Sequence, residues 1–164
     1  MKEDAVLTKA PQGCAASELA DFASLVLTGG EVQSAGLGQR IAGAHALCFL
    51  RRGEFLIGIA ATKKPNHMYR ASVFKKANAT LRPSLFPIEL GWVFVLPGHR
   101  GKHLSHKLVA AAIESVTRER IFATSRTDNL PMHALLTKAA FVPHGKDFAS
   151  ARGSHRLSLF LLTP

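Results

Sequence analysis

The sequence predicts an α/β domain with a mixed β-sheet, and two observations lead to that fold class. The chain has 164 residues, of which 47% are hydrophobic, and a chain of this length buries roughly 70% of the surface that it exposes when unfolded. Segments with helical periodicity also alternate with segments typical of strands, in the order helix, hairpin, strand, helix, strand, helix, strand. Because no repeat, low-complexity run or linker interrupts this order, we expect residues 1–164 to form a single domain.

A helix, a hairpin and a basic loop are predicted in the first half of the chain. Hydrophobic residues recur at helical spacing over 16–27, with Ser17 as the expected N-cap. Two apolar runs, 46–50 and 54–61, flank an Arg-Arg-Gly turn and therefore indicate two antiparallel strands. Residues 63–87 contain six Lys or Arg, three prolines and no acidic residue, which predicts an exposed loop with a helical turn.

Strands and helices alternate more clearly in the second half. Side chains over 88–95 alternate in character with a period of two, which predicts a strand with two different faces. A basic turn at 99–102 opens a helix that carries an apolar stripe. A short strand, 121–124, precedes a helix that runs from Asn129, a good N-cap, to about residue 139, and 156–162 is predicted to be the last strand.

The net charge of +10 is concentrated in the later part of the chain. Residues 1–60 hold five Lys or Arg and six Asp or Glu, whereas residues 61–164 hold sixteen and five. Such a field attracts anions, whether a nucleic acid, an acidic protein or a phosphorylated cofactor. Charge alone does not choose among these partners.

The cysteine content and the N-terminal sequence predict a cytoplasmic protein. Cys14 and Cys48 are too few for a disulfide framework and lack zinc-site spacing. The start, Met1-Lys2-Glu3-Asp4, carries acids where a signal peptide would be apolar. Since no run approaches the roughly 18 apolar residues of a membrane span, we expect no membrane insertion.

The turn before the second helix is predicted to bind an anion. Backbone N–H groups at a helix N-terminus converge there with the charges of Arg100 and Lys102, an arrangement suited to a pyrophosphate. Neither the P-loop pattern nor the Rossmann fingerprint occurs in the sequence. His99, His103 and His106 lie in the same segment, but the adjacent cations would repel a divalent ion, so we expect no metal site.

Residues 89–109, which contain this turn, resemble the acetyl-CoA motif of the GCN5-related N-acetyltransferases (GNAT family). That motif has the form [Q/R]-x-x-G-x-[G/A] and follows a bulged strand. Arg100 matches its first position, whereas His103 stands where Gly is usual and Ser105 where Gly or Ala is usual. The resemblance implies a mixed, mostly antiparallel central sheet flanked by helices.

Residues 129–141 are similar to a second motif of the family, N-x-x-A-x-x-[LF]-Y-x-x-x-G-F. Asn129 and Phe141 agree with this pattern, while Leu136 replaces the Tyr and Ala140 replaces the Gly. The family usually uses that Tyr to protonate the departing CoA thiolate. We therefore expect solvent to supply the proton here, with Tyr69, the only tyrosine of the chain, as the alternative acid.

The resemblance also implies the roles of individual residues toward acetyl-CoA as cosubstrate. The backbone of Val93 and Val95 would pair with the pantetheine arm, and the turn would hold the pyrophosphate. Glu89 lies eleven positions before Arg100, the spacing at which histone-modifying members place their general-base glutamate. The cofactor-binding residues implied in this way are Val93, Val95, Arg100, Gly101, Lys102, His103, Leu104, Ser105 and Asn129.

These features predict an N-acetyltransferase that moves acetyl from acetyl-CoA to a primary amine by direct attack in a ternary complex. The alternative is a basic nucleic-acid-binding or regulatory module on the same fold with weak or lost turnover. An amine carried on an RNA or ribosomal partner also fits the charge. Glu89 has an alternative interpretation as well, an exposed strand-edge residue or the partner of a nearby Arg. The sequence does not identify the acceptor, which loops 33–44 and 63–87 are expected to select, or the oligomeric state.

Overall fold

The computed structural model of the chain describes residues 3–30 and 32–164. Met1 and Lys2, which were used above to argue against a signal peptide, lie outside the described residues. Within that part of the chain there are seven strands and five α-helices. In chain order they are β1 (Asp4–Lys9), α1 (Ala16–Thr28), α2 (Leu37–Ala42), β2 (Ala46–Arg52), β3 (Phe55–Lys63), α3 (His67–Lys76), β4 (Ile88–Val95), α4 (Leu104–Glu114), β5 (Ile121–Arg126), α5 (Leu130–Lys138), β6 (Val142–Ala149) and β7 (Arg156–Leu162).

The strands follow the order β1-β2-β3-β4-β5-β7-β6. The pairs β1–β2, β2–β3, β5–β7 and β6–β7 are antiparallel, and β4 pairs with β5 in parallel through Ile88–Ile121 and Glu89–Phe122. The mixed, mostly antiparallel sheet implied by the family resemblance is therefore confirmed.

The chain divides into two compact units, which are described separately. The first unit consists of the described residues of 1–63 together with 90–117. The ring of Phe22 in α1 packs edge-on against Phe49 at 5.5 Å and against Trp92 at 5.9 Å between centroids. Helix α4 contacts β2 and β3 and buries one face on them, with Leu108 fully buried. These contacts build the core that supports the later part of β4.

The second unit consists of 64–89 and 118–164. Its core is a Phe cluster in which Phe74 of α3 packs against Phe86 at 5.5 Å and Phe122 at 5.4 Å between ring centroids. Aromatic pairs of this kind contribute about 0.5–1.5 kcal/mol beyond the area that they bury. They hold α3 against the start of β4.

Several predicted elements are confirmed, but the segment 63–87 is more ordered than expected. It contains α3, ten residues long, whose N-cap Asn66 accepts a hydrogen bond from the N–H of Met68 at 2.8 Å. The predicted helix over 16–27 is present, but Ser17 lies inside its first turn. Glu18 instead accepts from the N–H of Ala15 at 2.9 Å.

Strands β1 and β6 and helix α2 were missed from the sequence. Strand β1 is at one edge of the sheet, its residues are half-buried or exposed, and its apolar run is short, only Ala5 to Leu7. Strand β6 is at the other edge and contains Pro143 and Gly145, residue types that are rare inside strands and predict a loop. That residues 1–164 form one domain stays a prediction.

Candidate active site

The later part of β4 has an irregular backbone at Trp92. This residue has φ of 53°, a left-handed conformation that is a genuine outlier for a bulky side chain and costs roughly 1–2 kcal/mol. Its ring is held by Phe22 and by Lys63, whose Nζ lies 4.7 Å from the ring centroid. A left-handed residue inside a strand is the kind of irregularity that occurs at a β-bulge.

The turn that follows β4 is fixed to the end of that strand by Arg100. Its Nε donates to the carbonyl oxygen of Val95 at 2.9 Å, and its guanidinium lies 5.6 Å from the ring centroid of Phe94. Val95, expected to pair with pantetheine, is buried and its carbonyl accepts this bond. The backbone of Val93, the other residue of that expectation, follows the irregular Trp92 directly.

His103 occupies the position where the family motif has Gly, and the backbone explains that preference. His103 has φ of 56° and ψ of 26° and is the N-cap of α4, with no side-chain capping bond. Gly101 also has positive φ, 97°. With these two reversals, Lys102 lies in a tight turn and α4 begins at Leu104, so the N–H groups of its first turn form the end of the helix that favours anions.

A bidentate ion pair braces this turn and was not found from the sequence. Arg52 donates from Nε and Nη2 to the two carboxylate oxygens of Asp4 at 2.7 and 2.9 Å. Its Nη1 lies 3.2 Å from Nδ1 of His99. These bonds hold the pKa of Asp4 below its ordinary value, and the positive charges of Lys102 and Lys107 act in the same direction. Lys102 in this turn and Lys107 in α4 therefore produce a positive field that acts on Asp4.

Glu89, the predicted general base, is buried in the second unit beside a tyrosine. It is 3% exposed, so its interpretation as an exposed strand-edge residue is wrong. The hydroxyl of Tyr69, on α3, donates to Oε2 of Glu89 at 2.8 Å. Burial, the charge of Glu89 and this bond raise the pKa of Tyr69 far above its ordinary value, while a hydrogen bond with Thr124 opposes them. Tyr69 therefore stays protonated and acts as a donor to Glu89.

The tyrosine partner could have been suspected from only one signal in the sequence. Tyr69 is the single tyrosine of the chain and was considered only as an alternative acid for the thiolate. Its neighbour Asn66 caps α3 and sets the helix register, and this register brings the phenol to β4. No local sequence pattern encodes that distance, because twenty positions separate Tyr69 from Glu89.

The second predicted motif has a structural role in the second unit. The side-chain oxygen of Asn129 caps α5 by accepting from the N–H of Met132 at 3.2 Å, as its N-cap pattern predicted. Leu136 is fully buried, and its side chain has no proton to donate. The cofactor role of Asn129 stays a prediction, as do those of Ser105 and the other turn residues.

Among the described residues, no group of three or more His, Cys, Asp or Glu side chains is arranged to hold a metal ion. No helix within 3–30 and 32–164 is long and apolar enough to cross a bilayer.

The mostly antiparallel sheet, with an irregular strand that leads into a helix N-terminus suited to an anion, agrees with an acyltransferase, the class of enzyme that the family resemblance implied. The chain belongs to the acetyltransferase (GNAT) family, whose model matches residues 30–141. The predicted family and the predicted enzyme class are thus confirmed, and the chain is an acetyltransferase. No curated protein matches the sequence.

Solved structures with the same fold are distant in sequence. Escherichia coli ElaA has 14% identity and a TM-score of 0.67, with 96% of this chain and 99% of that one covered. Arabidopsis thaliana NAA60 in complex with acetyl-CoA has 12% identity and a TM-score of 0.68, with 98% and 100% covered. Arabidopsis thaliana Naa50, in complex with the bisubstrate analogue CoA-Ac-MVNAL, has 12% identity and a TM-score of 0.68, with 97% and 99% covered. At these identities the likeness establishes the fold.

Proposed function

We propose that the protein transfers acetyl from acetyl-CoA to a primary amine by direct attack in a ternary complex, with Glu89 as the proton acceptor. The observation that carries this proposal is the hydrogen bond from Tyr69 to the buried Glu89, at the start of the strand that leads to the turn before α4. Amine acylation needs a base, because an amine is protonated at neutral pH and must lose a proton to become a nucleophile.

The residues of the basic turn at 99–102 and the start of α4 fit the cosubstrate acetyl-CoA. The N–H groups at the start of α4 would bind the pyrophosphate, and Lys102 adds a charge whose field already acts on Asp4. Two of the neighbouring structures contain acetyl-CoA or a CoA conjugate, which supports the same choice. Acetyl-CoA supplies an activated thioester carbonyl, and the protein supplies its position and the removal of a proton.

The burial of Glu89 determines how that proton reaches it. Its Oε2 already accepts the hydroxyl of Tyr69 at 2.8 Å, and Tyr69 is 40% exposed whereas Glu89 is 3% exposed. We therefore assign a relay in which the acceptor amine gives its proton to the phenol oxygen while the phenol proton moves to Glu89. The freed lone pair attacks the thioester carbon and the C–S bond breaks. The nitrogen loses its second proton as the amide forms, and the thiolate takes up a proton, both through solvent. Glu89 then returns its proton to solvent.

This proposal is tested by release of the CoA thiol in the presence of primary amines. Glu89→Gln should lower kcat roughly 10²- to 10⁴-fold, the range for loss of a general base, while Tyr69→Phe should lower kcat and leave acetyl-CoA binding intact. Glu119→Gln, which removes an exposed carboxylate from the same unit, is the matched control. An unchanged rate in Glu89→Gln would contradict the proposed role of Glu89.

Cosubstrate binding has an independent readout in thermal stability. Acetyl-CoA at about 100 times its dissociation constant should stabilise the fold by roughly 2.7 kcal/mol. A melting temperature that millimolar acetyl-CoA leaves unchanged would contradict the proposed cosubstrate.

Two further expectations concern the partner and the location of the protein. An RNA or ribosomal partner, which charge alone left open, gains no support from the family or the structural neighbours. A location in the reducing cytoplasm is supported by the free thiols of Cys14 and Cys48.

A further inference from the structure

Most of the net charge of the protein belongs to the second unit. Residues 64–89 and 118–164 contain twelve Lys or Arg and four Asp or Glu, a net charge of +8 out of the +10 of the whole chain. Of those four acids, Glu89 is buried and Asp147 accepts a hydrogen bond from Ser158 at 2.7 Å. The outer surface of this unit is therefore strongly basic.

Part of this charge lines a cavity that the mechanism above does not use. The cavity has a volume of about 500 Å³ and lies where the end of α3 meets β6 and the start of β7. We call it the basic groove, and its lining residues are Lys76, Lys146, Asp147, Phe148, Ala149, Ser150, Ala151 and Arg156. Three of these are cations with exposed side chains, and one is an acid.

Local bonds hold the groove in shape. The N–H of Lys146 donates to the carbonyl oxygen of Ala77, just after α3, at 2.8 Å. Arg156 donates from Nη2 to the backbone oxygen of Asp147 at 2.8 Å. The backbone oxygen and Oδ1 of Asp147 thus both accept hydrogen bonds within the protein. Lys146 is fixed through its backbone N–H and is an exposed residue.

Helix α3 links the groove to the proton-accepting pair. Tyr69 lies in the first turn of α3 and Lys76 is its last residue, so seven residues, or about 10 Å of helix rise, separate them along the axis. A second link is Arg152, in the turn after the groove residues Ser150 and Ala151, whose positive charge acts on the hydroxyl of Tyr69. With the acceptor amine at the Tyr69 hydroxyl, as proposed above, an extended peptide reaches the groove within a few residues of that amine.

We propose that the basic groove binds an acidic peptide segment of the acceptor, with carboxylates that begin about three residues from the amine. Three extended residues span about 10 Å, which matches the separation along α3. This inference rests on the proposed function for the position of the amine, but binding of acidic peptide by the groove does not depend on turnover. Polyamines and basic peptides should be poor acceptors, because the same field repels them.

The groove favours an acidic peptide over RNA because it lacks stacking surfaces. Single-stranded nucleic acids are bound through exposed aromatic side chains as well as charge. Among the described residues of the second unit, Tyr69 is the one exposed Phe, Tyr or Trp, and its hydroxyl donates to Glu89. Phe148 lines the groove but is 6% exposed.

The binding test uses a fluorescent peptide that cannot react. An N-acetylated peptide with four consecutive glutamates should bind, its affinity should fall as salt rises, and the same peptide with glutamines should bind far more weakly. Replacing Lys76 and Lys146 together by Ala should weaken binding roughly 2- to 30-fold, from the usual range for exposed ion pairs. The matched control replaces Lys75 and Lys138 by Ala, which removes the same charge outside the groove and should change affinity less than about twofold.

Three results would overturn the proposal. They are equal binding of the glutamine peptide, an equal loss in the control double variant, and tighter binding of a short RNA that the Lys76 and Lys146 changes abolish. The last result would make the groove a nucleic-acid site.

An activity test separates this proposal from the proposed function. Peptides with a free amino terminus and glutamates from the third residue should be acetylated with higher kcat/KM than glutamine or lysine versions. The double change at Lys76 and Lys146 should raise KM for the acidic peptide and leave kcat almost unchanged. Acetylation without preference for acidic peptides would overturn the groove and leave the proposed function intact. Binding of the acidic peptide without any acetylation would overturn the proposed function and leave the groove as a peptide-binding site.

Discussion

The contact between Tyr69 and Glu89 makes a quantitative prediction, because the chain contains only one tyrosine. Phenolate absorbance in an alkaline titration therefore reports on Tyr69 alone. In the native protein the raised pKa of Tyr69, caused by burial first and then by the charge and hydrogen bond of Glu89, should keep the phenol protonated well above pH 10, its ordinary pKa.

Glu89→Gln removes the charge that lies 2.8 Å from the phenol oxygen. Coulomb's law at that distance gives about 1.5 kcal/mol in water and about 6 kcal/mol at an effective dielectric constant near 20. Since one pH unit corresponds to about 1.4 kcal/mol, Tyr69 should titrate roughly 1–4 units lower in the variant. The residue as a whole is 40% exposed, which places the shift toward the lower end. The desolvation of its hydroxyl persists in the variant, so the pKa of Tyr69 should not return fully to its ordinary value.

The titration has a matched control and a clear contrary result. Glu119→Gln removes one exposed carboxylate from the same unit and should leave the Tyr69 titration unchanged. Far-ultraviolet circular dichroism at each pH separates titration in the folded protein from alkaline unfolding. An identical Tyr69 titration in the native protein and in Glu89→Gln would refute the contact. An equal shift in Glu119→Gln would show that the shift comes from the total charge of the protein and not from the contact.

Three further predictions concern stability. His103→Gly should stabilise the fold by about 0.5–1 kcal/mol, because the relief of a left-handed residue exceeds the added freedom of the unfolded chain, and calorimetry should show a melting temperature about 1–4 °C higher. Gly145→Ala should destabilise by more than about 2 kcal/mol in urea titrations, since φ is 74° and a Cβ would collide with the carbonyl oxygen of Ala77, whereas Gly13→Ala, with open space around it, should not. Asp4→Asn should lower stability at pH 7, and because the folded-state pKa of Asp4 is depressed below 3.8, the difference should vanish as pH falls through that pKa.

The sequence predicted those features that depend on residues close together in the chain. Alternation over 88–95 identified β4, and the basic turn after it identified the start of α4, because strand and helix-cap signals are local. Asn129 was correctly predicted as a helix cap for the same reason. The family resemblance added the expected position of the cosubstrate and identified Glu89 as the candidate base.

The rest depended on distant contacts that no local pattern contains. The Tyr69–Glu89 bond and the bracing of His99 by Arg52 join residues 20 and 47 positions apart. Helix α3 was predicted as a loop with one turn because basic residues dominate its sequence. Its apolar pair, Val73 and Phe74, is too short to show a helical period and is buried by a cluster that includes Phe122 of β5. Strand β6 was missed because pairing with β7 overrides its unfavourable composition.

The irregular strand gives the protein a built-in optical probe. Trp92, the residue with the left-handed backbone, is the only tryptophan in the chain, and it precedes Val93 directly. Its indole contacts the ammonium group of Lys63 and the ring of Phe22, so its emission reflects the packing of this one point of β4. Changes that a ligand makes to the strand are therefore readable from intrinsic fluorescence, without a label and without background from another indole.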